Sequence, residues 1–307
     1  MQTFLSADEF RSDGCKVSLA IGMFDGVHLG HQQVIRQAVA DAAQHEGLSV
    51  AVTFDRHPSS ILAPDRVPPL LYAPSQKTRA LAALGVDALL IIPFTREFAA
   101  QPGDVFIRML AEKLRPLHSI CVGSSFAFGH QRSGNVALLQ QLGRELGFTV
   151  HGLAAVALDG QKVSSTRIRE TIRAGEFGAA AQMLGREYAL CGTVVTGDRL
   201  GRQMGFSTAN LDPDGRLVPP HGVYAAHAFV AGRRHRAAVN IGVRPTLGNP
   251  TPQRRVEAHL LDFDGDLYGQ EMELSFVEKL RDEIKFASVE DLRRQIAIDL
   301  EAARTSF

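Results

Sequence analysis

Two histidines three residues apart, His28 and His31, lie in the stretch Gly22-Met23-Phe24-Asp25-Gly26-Val27-His28-Leu29-Gly30-His31, between an apolar run and a segment of helical spacing. Glycines at a strand-to-helix turn let backbone N–H groups approach a phosphate, and the helix start adds unpaired amides and a positive dipole end. Gly22, Phe24, Asp25, Gly26 and Gly30 therefore frame an anion site to which His28 and His31 add side-chain donors. A lone histidine at such a turn is ordinarily a cap; two around a glycine favour chemistry. The spacing fits neither the Gly-x-Gly-x-x-Gly dinucleotide fingerprint nor a Walker loop. A second cluster, Ser164-Ser165-Thr166-Arg167-Ile168-Arg169, opens a helix: Ser164 or Ser165 can cap it, and Arg167 or Arg169 can reach phosphates.

Another glycine-rich stretch, Gly197-Asp198-Arg199-Leu200-Gly201-Arg202-Gln203-Met204-Gly205-Phe206, leads into Ser207-Thr208-Ala209-Asn210. Thr208 and Asn210, two apart on extended chain, point to one side, and their hard oxygens suit Mg²⁺ carrying ATP phosphates. Gly197, Gly201, Arg202 and Gly205 belong to the loop that would wrap those phosphates. Glu257 is a lone carboxylate in the apolar strand candidate Val256–Leu261, where burial would suit it to take a proton from an alcohol.

These residues need elements to hold them. Apolar runs at Val17–Ile21, Leu48–Phe54, Val86–Ile92, Ser119–Val122 and Phe148–Ala154 alternate with helical spacing at His31–Glu46, Ser75–Leu84, Gly103–Leu114 and Val136–Gly147, which predicts a doubly wound α/β domain with a parallel sheet. Ligands are expected at the carboxyl ends of its strands. Five prolines across Pro58–Pro74 predict a surface loop. Beyond Gly185, short strands at Gly192–Thr196, Val223–Ala231, Ala237–Ile241, Val256–Leu261 and Glu271–Val277 predict an antiparallel β-barrel or sandwich. A helix over Ser288–Ala303, capped by Ser288 with a stripe of Val289, Leu292, Ile296 and Leu300, packs against it. The domains are expected at 1–184 and 185–307.

Composition narrows the function. Lys plus Arg is 33 and Asp plus Glu is 33 in 307 residues, balanced in both halves, so no nucleic-acid partner is expected. Three scattered cysteines with no Cys-x-x-Cys argue against a disulfide framework or structural zinc and for a reducing cytoplasm. No apolar run approaches the roughly 20 residues of a membrane span, and no secretory signal pattern opens the chain. The sequence sets no oligomeric state.

His-x-Gly-His, with the later Ser-Ser-Thr-Arg cluster, resembles the paired phosphate-binding motifs of the nucleotidylyltransferase superfamily. From about Val17 to Arg304 the chain resembles the prokaryotic bifunctional riboflavin kinase/FAD synthetase family. The resemblance implies a Rossmann-like nucleotidylyltransferase domain followed by an antiparallel β-barrel riboflavin kinase domain with a C-terminal helix. It implies riboflavin plus ATP to FMN plus ADP in the second domain, and FMN plus ATP to FAD plus pyrophosphate in the first, both with Mg²⁺. By motif, Gly22–His31 would bind ATP and stabilise the α-phosphoryl transition state, with Ser164, Ser165, Thr166, Arg167 and Arg169 on phosphates. Gly123–Asn135 resembles the flavin-side stretch of the first domain, with Ser125, Phe126, Phe128 and Asn135 as contacts. In the second domain Thr208 and Asn210 would hold Mg²⁺-ATP, Glu257 would be the general base for the ribityl 5′-hydroxyl, and Arg281, Glu283 and Phe286 would lie near the flavin. The chain departs from the family at Ser125, where Asp or Asn is usual, at Ser207, where Pro is usual, and at Met23 and Arg56. Three other readings are a riboflavin kinase with a weak first domain, a class I aminoacyl-tRNA synthetase, which the neutral charge and β-rich second half oppose, and a non-enzymatic flavin or nucleotide sensor.

Overall fold

Strands buried on both faces pair most readily in parallel, with helical crossovers between them. The computed structural model describes residues 1–197, 206–244 and 253–307, which form two compact units: Met1–Pro68 with Pro74–Ser164, and Pro69–Ala73 with Ser165–Phe307. The first holds a sheet of β1 (Gln2–Phe4), β2 (Val17–Ile21), β3 (Leu48–Phe54), β4 (Ala88–Ile92), β5 (Leu117–Gly123) and β8 (Thr149–Leu153), in the order β1-β4-β3-β2-β5-β8 and parallel throughout. All of β2 is buried, and Leu19, Ile21, Val50, Val52, Leu90 and Ile120 form the core with Ile107, Leu110 and Leu139.

Its connections are α1 (Leu29–Gln44), α2 (Ser59–Leu62), α3 (Pro74–Ala82), α4 (Arg96–Ala99), α5 (Gly103–Lys113) and α6 (Val136–Leu146). Two short ribbons pair β6 (Ala127–Phe128) with β7 (Gly134–Asn135), and β9 (Ala157–Leu158) with β10 (Gln161–Lys162). From β2 the chain crosses through α1 to β3 on one side, whereas β5 lies on the other. The strand order reverses at β2, so the crevice of a doubly wound sheet opens at its carboxyl end, where Gly22–His31 begins.

The second unit contains α7 (Ser165–Arg173), α8 (Phe177–Leu184) and a closed antiparallel barrel: β11 (Ala189–Val195), β12 (Ala209–Asp212), β13 (Gly222–Val230), β14 (Arg233–Arg244), β15 (Gln253–Leu260) and β16 (Glu271–Arg281), in the order β11-β12-β15-β14-β13-β16. Closure pairs β16 with β11 and removes every edge. Gly192 lets β11 and β12 approach, because a Cβ there would stand 2.2 Å from Asp212 O. α9 (Val289–Thr305) starts at Ser288, whose Oγ accepts from Asp291 N at 3.1 Å, and buries Leu300 and Ala303 against Ala225, Ala238 and Leu261.

Three expectations change. Gln2–Phe4 forms an edge strand beside β4, which three residues without alternation did not announce. The proline-rich stretch is not a surface loop throughout: it holds α2 and a turn at Pro64–Arg66, and Leu71, Tyr72 and Ala73 are buried. There Leu70 N donates to Gly215 O at 3.1 Å and Leu217 N to Leu70 O at 2.8 Å. Val289 is 70% exposed, so the apolar stripe of α9 begins at Leu292. The second compact unit includes α7 and α8, and Phe177 of α8 stacks on Phe276 at 5.4 Å and meets Tyr224 edge-on at 5.8 Å. Phe177→Ala should therefore destabilise the barrel unit by about 3–5 kcal/mol, measured by circular dichroism through a urea transition.

Candidate active sites

After Ile21 the backbone turns through left-handed conformations at Phe24 (φ +51°), Gly26 (φ +79°) and Val27 (φ +38°). Phe24 and Val27 carry side chains that disfavour this region, and complete burial of both holds them there. A Cβ at Gly22 would come within 2.8 Å of the Phe24 ring. The turn is pinned by Thr53 Oγ1 donating to Met23 O at 3.1 Å and Gln32 Nε2 donating to Val27 O at 3.0 Å.

His28 caps α1, its Nδ1 accepting from His31 N at 3.3 Å, and the two imidazoles stack with centroids 3.6 Å apart. Phe24 meets the His31 ring edge-on at 5.4 Å, and Asp25 and His28 are buried. Burial, then the neighbouring His28 and Lys77, hold His31 well below the usual imidazole range, so it is neutral at physiological pH. Its Nδ1 is buried without a hydrogen-bond partner.

Lys77 was missing from the candidates. From the first turn of α3 its Nζ reaches Thr53 Oγ1 at 3.3 Å and Phe54 O at 3.4 Å. Burial pulls its pKa down while the charges of Asp25 and Asp55 push it up, and burial prevails. A cation in a helix's first turn opposes the dipole. That misplacement is the signal by which it could have been found: such a lysine serves an anion.

On the segment Gly123–Asn135, Phe126 and Phe128 are half-buried and stacked at 5.1 Å. Ser125 is exposed and its Oγ accepts from Lys162 Nζ at 2.7 Å, while Asn135 Oδ1 caps α6 by accepting from Leu138 N at 3.0 Å. Ser164 ends the first unit; Ser165, Thr166 and Arg167 open α7 in the second, where Arg169 is buried with Nε donating to Pro69 O at 2.7 Å.

In the barrel, a cavity of about 320 Å³ gathers Thr208, Asn210 and Glu257 with Arg281, Glu283 and Phe286. Strand register makes this meeting: Glu257 pairs directly with Asn210 of β12 on one side and with Asn240 of β14 on the other. Arg255 Nη1 pairs with Glu257 Oε1 at 3.0 Å, so the setting of Glu257 is polar and not the apolar one its neighbours in sequence suggest. Asn240 and Arg255 both line the cavity and were not anticipated; Arg255, two residues before Glu257, shares its strand face. Gly197 abuts Asn210, since a Cβ there would lie 2.1 Å from Asn210 Nδ2. Gly201, Arg202 and Gly205 lie outside the described residues.

The far wall is tied down by Arg281, which donates from Nε and Nη2 to the two carboxylate oxygens of Asp299 at 2.8 and 2.7 Å and lies 5.9 Å from the Phe286 ring centroid. The Glu283 carboxylate lies over Gly242, where a Cβ would be 2.5 Å from Oε1. A second cavity, about 350 Å³, shares Thr208 and is walled by Phe263, Leu267 and Tyr268 among others.

Comparison with known proteins places both halves. The family model described as FAD synthetase matches residues 11–167, and that described as riboflavin kinase matches residues 184–307. A bifunctional riboflavin kinase/FMN adenylyltransferase of Haemophilus influenzae is 37% identical over 96% of this chain and 94% of its own length, and that of Escherichia coli K12 is 38% identical over 96% and 93%. A solved structure named as a macrolide-efflux protein of Streptococcus pneumoniae is also similar, with TM-score 0.84 and 28% identity over 98% of both chains. No helix among the described residues of this chain is long and apolar enough to cross a membrane. With a parallel sheet, a closed barrel and both family matches in one chain, the protein belongs to the bifunctional riboflavin kinase/FMN adenylyltransferase family.

Proposed function

We propose that the barrel cavity is where the ribityl 5′-hydroxyl of riboflavin takes the γ-phosphoryl group of ATP, giving FMN and ADP. The same chain then converts FMN and a second ATP to FAD and pyrophosphate at the Gly22–His31 turn. The observation that carries the reading is the cavity that unites Thr208, Asn210 and Glu257 with Arg281, Glu283 and Phe286. An alcohol is a poor nucleophile until a base takes its proton, and Glu257, anchored by Arg255, is the carboxylate placed to do so. Hydroxyl and amide oxygens suit a hard cation, so Thr208 and Asn210 would hold Mg²⁺, which when bound neutralises ATP phosphates. Because Thr208 borders both barrel cavities, we assign riboflavin to the one lined by Phe286 and the adenine of ATP to the one walled by Phe263 and Tyr268.

FMN brings a phosphate already ionised at neutral pH, so the first unit needs no base. Its task is to position the α-phosphate and stabilise the charge that gathers on it. His28 and His31 would donate hydrogen bonds, His31 as the neutral ring, and Lys77 would supply the positive charge. Ser164, Ser165, Thr166, Arg167 and Arg169 are assigned to ATP phosphates, and Ser125, Phe126, Phe128 and Asn135 to the flavin side. We assign adenylyl transfer to 1–184 and phosphorylation to 185–307, with small-molecule substrates, no nucleic-acid partner and a reducing cytoplasm as the setting.

Chromatography of flavins after mixing the chain with riboflavin, ATP and Mg²⁺, and in parallel with FMN in place of riboflavin, should show FMN followed by FAD. FMN without FAD in both tubes would leave a kinase alone. Glu257→Ala should slow riboflavin phosphorylation by about 10²–10⁴-fold and spare FMN-to-FAD conversion; loss of both steps in a folded variant would refute the two-site assignment. His28→Ala or His31→Ala should do the reverse in the same assay. Lys77→Met should cut FAD formation at least about tenfold with a raised KM for ATP, Lys77→Arg should restore part of it, and FMN formation should not change.

A further inference from the structure

At the opposite end of α1 from His28, the first unit gathers four groups that flavin chemistry does not use: Asp41, His45, His118 and His151. Asp41 is buried, and its Oδ2 accepts from Ser18 Oγ at 3.1 Å and from Ser119 Oγ. Three imidazoles surround this carboxylate. His45 Nδ1 is 3.8 Å from Oδ1, His118 Nε2 is 3.9 Å from Oδ2, and His151 Nε2 is 3.8 Å from Oδ1. Each separation exceeds a hydrogen bond; His45 Nδ1 instead donates to the Asp41 backbone O at 2.9 Å, which makes Nε2 the ligand atom of that ring. His151 Nε2 is nevertheless buried with no hydrogen-bond partner, and the His45 and His118 rings are 3.9 Å apart. The ligand atoms of Asp41, His45 and His118 all lie within 4.8 Å of one another.

Burial, with His45 next to it, lowers the pKa of His118, which favours the ring form that offers a lone pair. The cluster sets imidazole nitrogens and one carboxylate at near-ligand spacing of one another, a donor set rich in nitrogen. We propose that Asp41, His45, His118 and His151 bind one divalent transition cation of the zinc class. Zn–N and Zn–O bonds of about 2.0–2.2 Å put tetrahedral ligands roughly 3.3 Å apart, a contraction of about half an ångström for the imidazole–carboxylate pairs and of up to about 1.5 Å across the cluster. Ser18 and Ser119 orient the carboxylate from outside, as hydrogen-bonding partners of metal ligands do. Mg²⁺, which prefers oxygen, is a poor competitor for a nitrogen-rich set, so the ATP cation and this one are kept apart. Ten residues of α1 separate Asp41 from His31, about 15 Å along the axis. The cation therefore acts as a clamp joining the last turn of α1 to β5 and β8, and it stabilises the fold by mass action.

The full chain, stripped with chelator, is titrated calorimetrically with Zn²⁺ in excess Mg²⁺ and then melted with and without Zn²⁺. One equivalent should bind and raise Tm. His118→Gln and His151→Gln, which keep a polar side chain at half-exposed positions and should leave riboflavin phosphorylation intact, should each weaken binding more than about tenfold. A His28→Ala/His31→Ala variant should bind zinc as the wild type does. The proposal is overturned if the wild type binds no more zinc than the His118→Gln/His151→Gln double variant, or if binding disappears with His28 and His31 instead.

Discussion

Glu257 faces both asparagines because β15 lies between β12 and β14 in one antiparallel register. A slip of one residue on either side would turn its carboxylate away from the cavity, since successive strand residues point to opposite faces. Closure of the barrel fixes that register: with β16 paired to β11, no strand can slide without breaking the ring. The four-residue β12 could not hold its alignment alone, yet it carries Asn210 and follows directly on Thr208. Arg281 and Asp299 do for the far wall what the ladder does for the near one, joining the end of β16 to α9 by a two-pronged, largely buried ion pair.

On the proposed assignment the two units handle ATP by different physics. The barrel must create a nucleophile, and it presents Glu257 paired with Arg255. On the same assignment the parallel sheet receives a ready anion and presents a backbone turn, two stacked imidazoles, of which burial holds the pKa of His31 low, and a lysine among acidic neighbours. Phe24 and Val27 show what that turn costs locally: both adopt backbone conformations natural to glycine and are held by complete burial. On that assignment opposite demands on the substrate match a strand-end crevice in one unit and a barrel cavity in the other.

Much of this was legible in the sequence where a local rule operates. Apolar runs fix β2, β3 and β4 because strands buried on both faces need little else, and Ser288 marks the start of α9 because a hydroxyl cap is a contact three residues long. Thr208, Asn210 and Glu257 could be picked out by residue type, and their meeting in one cavity is a matter of ladder register. What escaped depends on partners distant in sequence. β1 exists only because β4 offers an edge, and Asn240 matters only because Glu257 is opposite it; Lys77 left a local sign, a cation in a helix's first turn, but its acidic neighbours Asp25 and Asp55 come from elsewhere in the chain. Val289 failed for a simpler reason: the first turn of α9 extends beyond the surface that the helix covers.

The buried stretch Pro69–Ala73 makes the second unit discontinuous. The polypeptide leaves the first unit at Pro68, contributes five residues to the second, returns at Pro74 and departs again after Ser164. During synthesis those five residues emerge long before Gly215 and Leu217, the groups that Leu70 bonds, so they must wait for the barrel to be made. The second unit is therefore not a contiguous, self-contained cassette. A fragment cut after Leu184 would retain every barrel strand and still lack Leu70, Tyr72 and the hydrogen bonds that fasten them to the second unit.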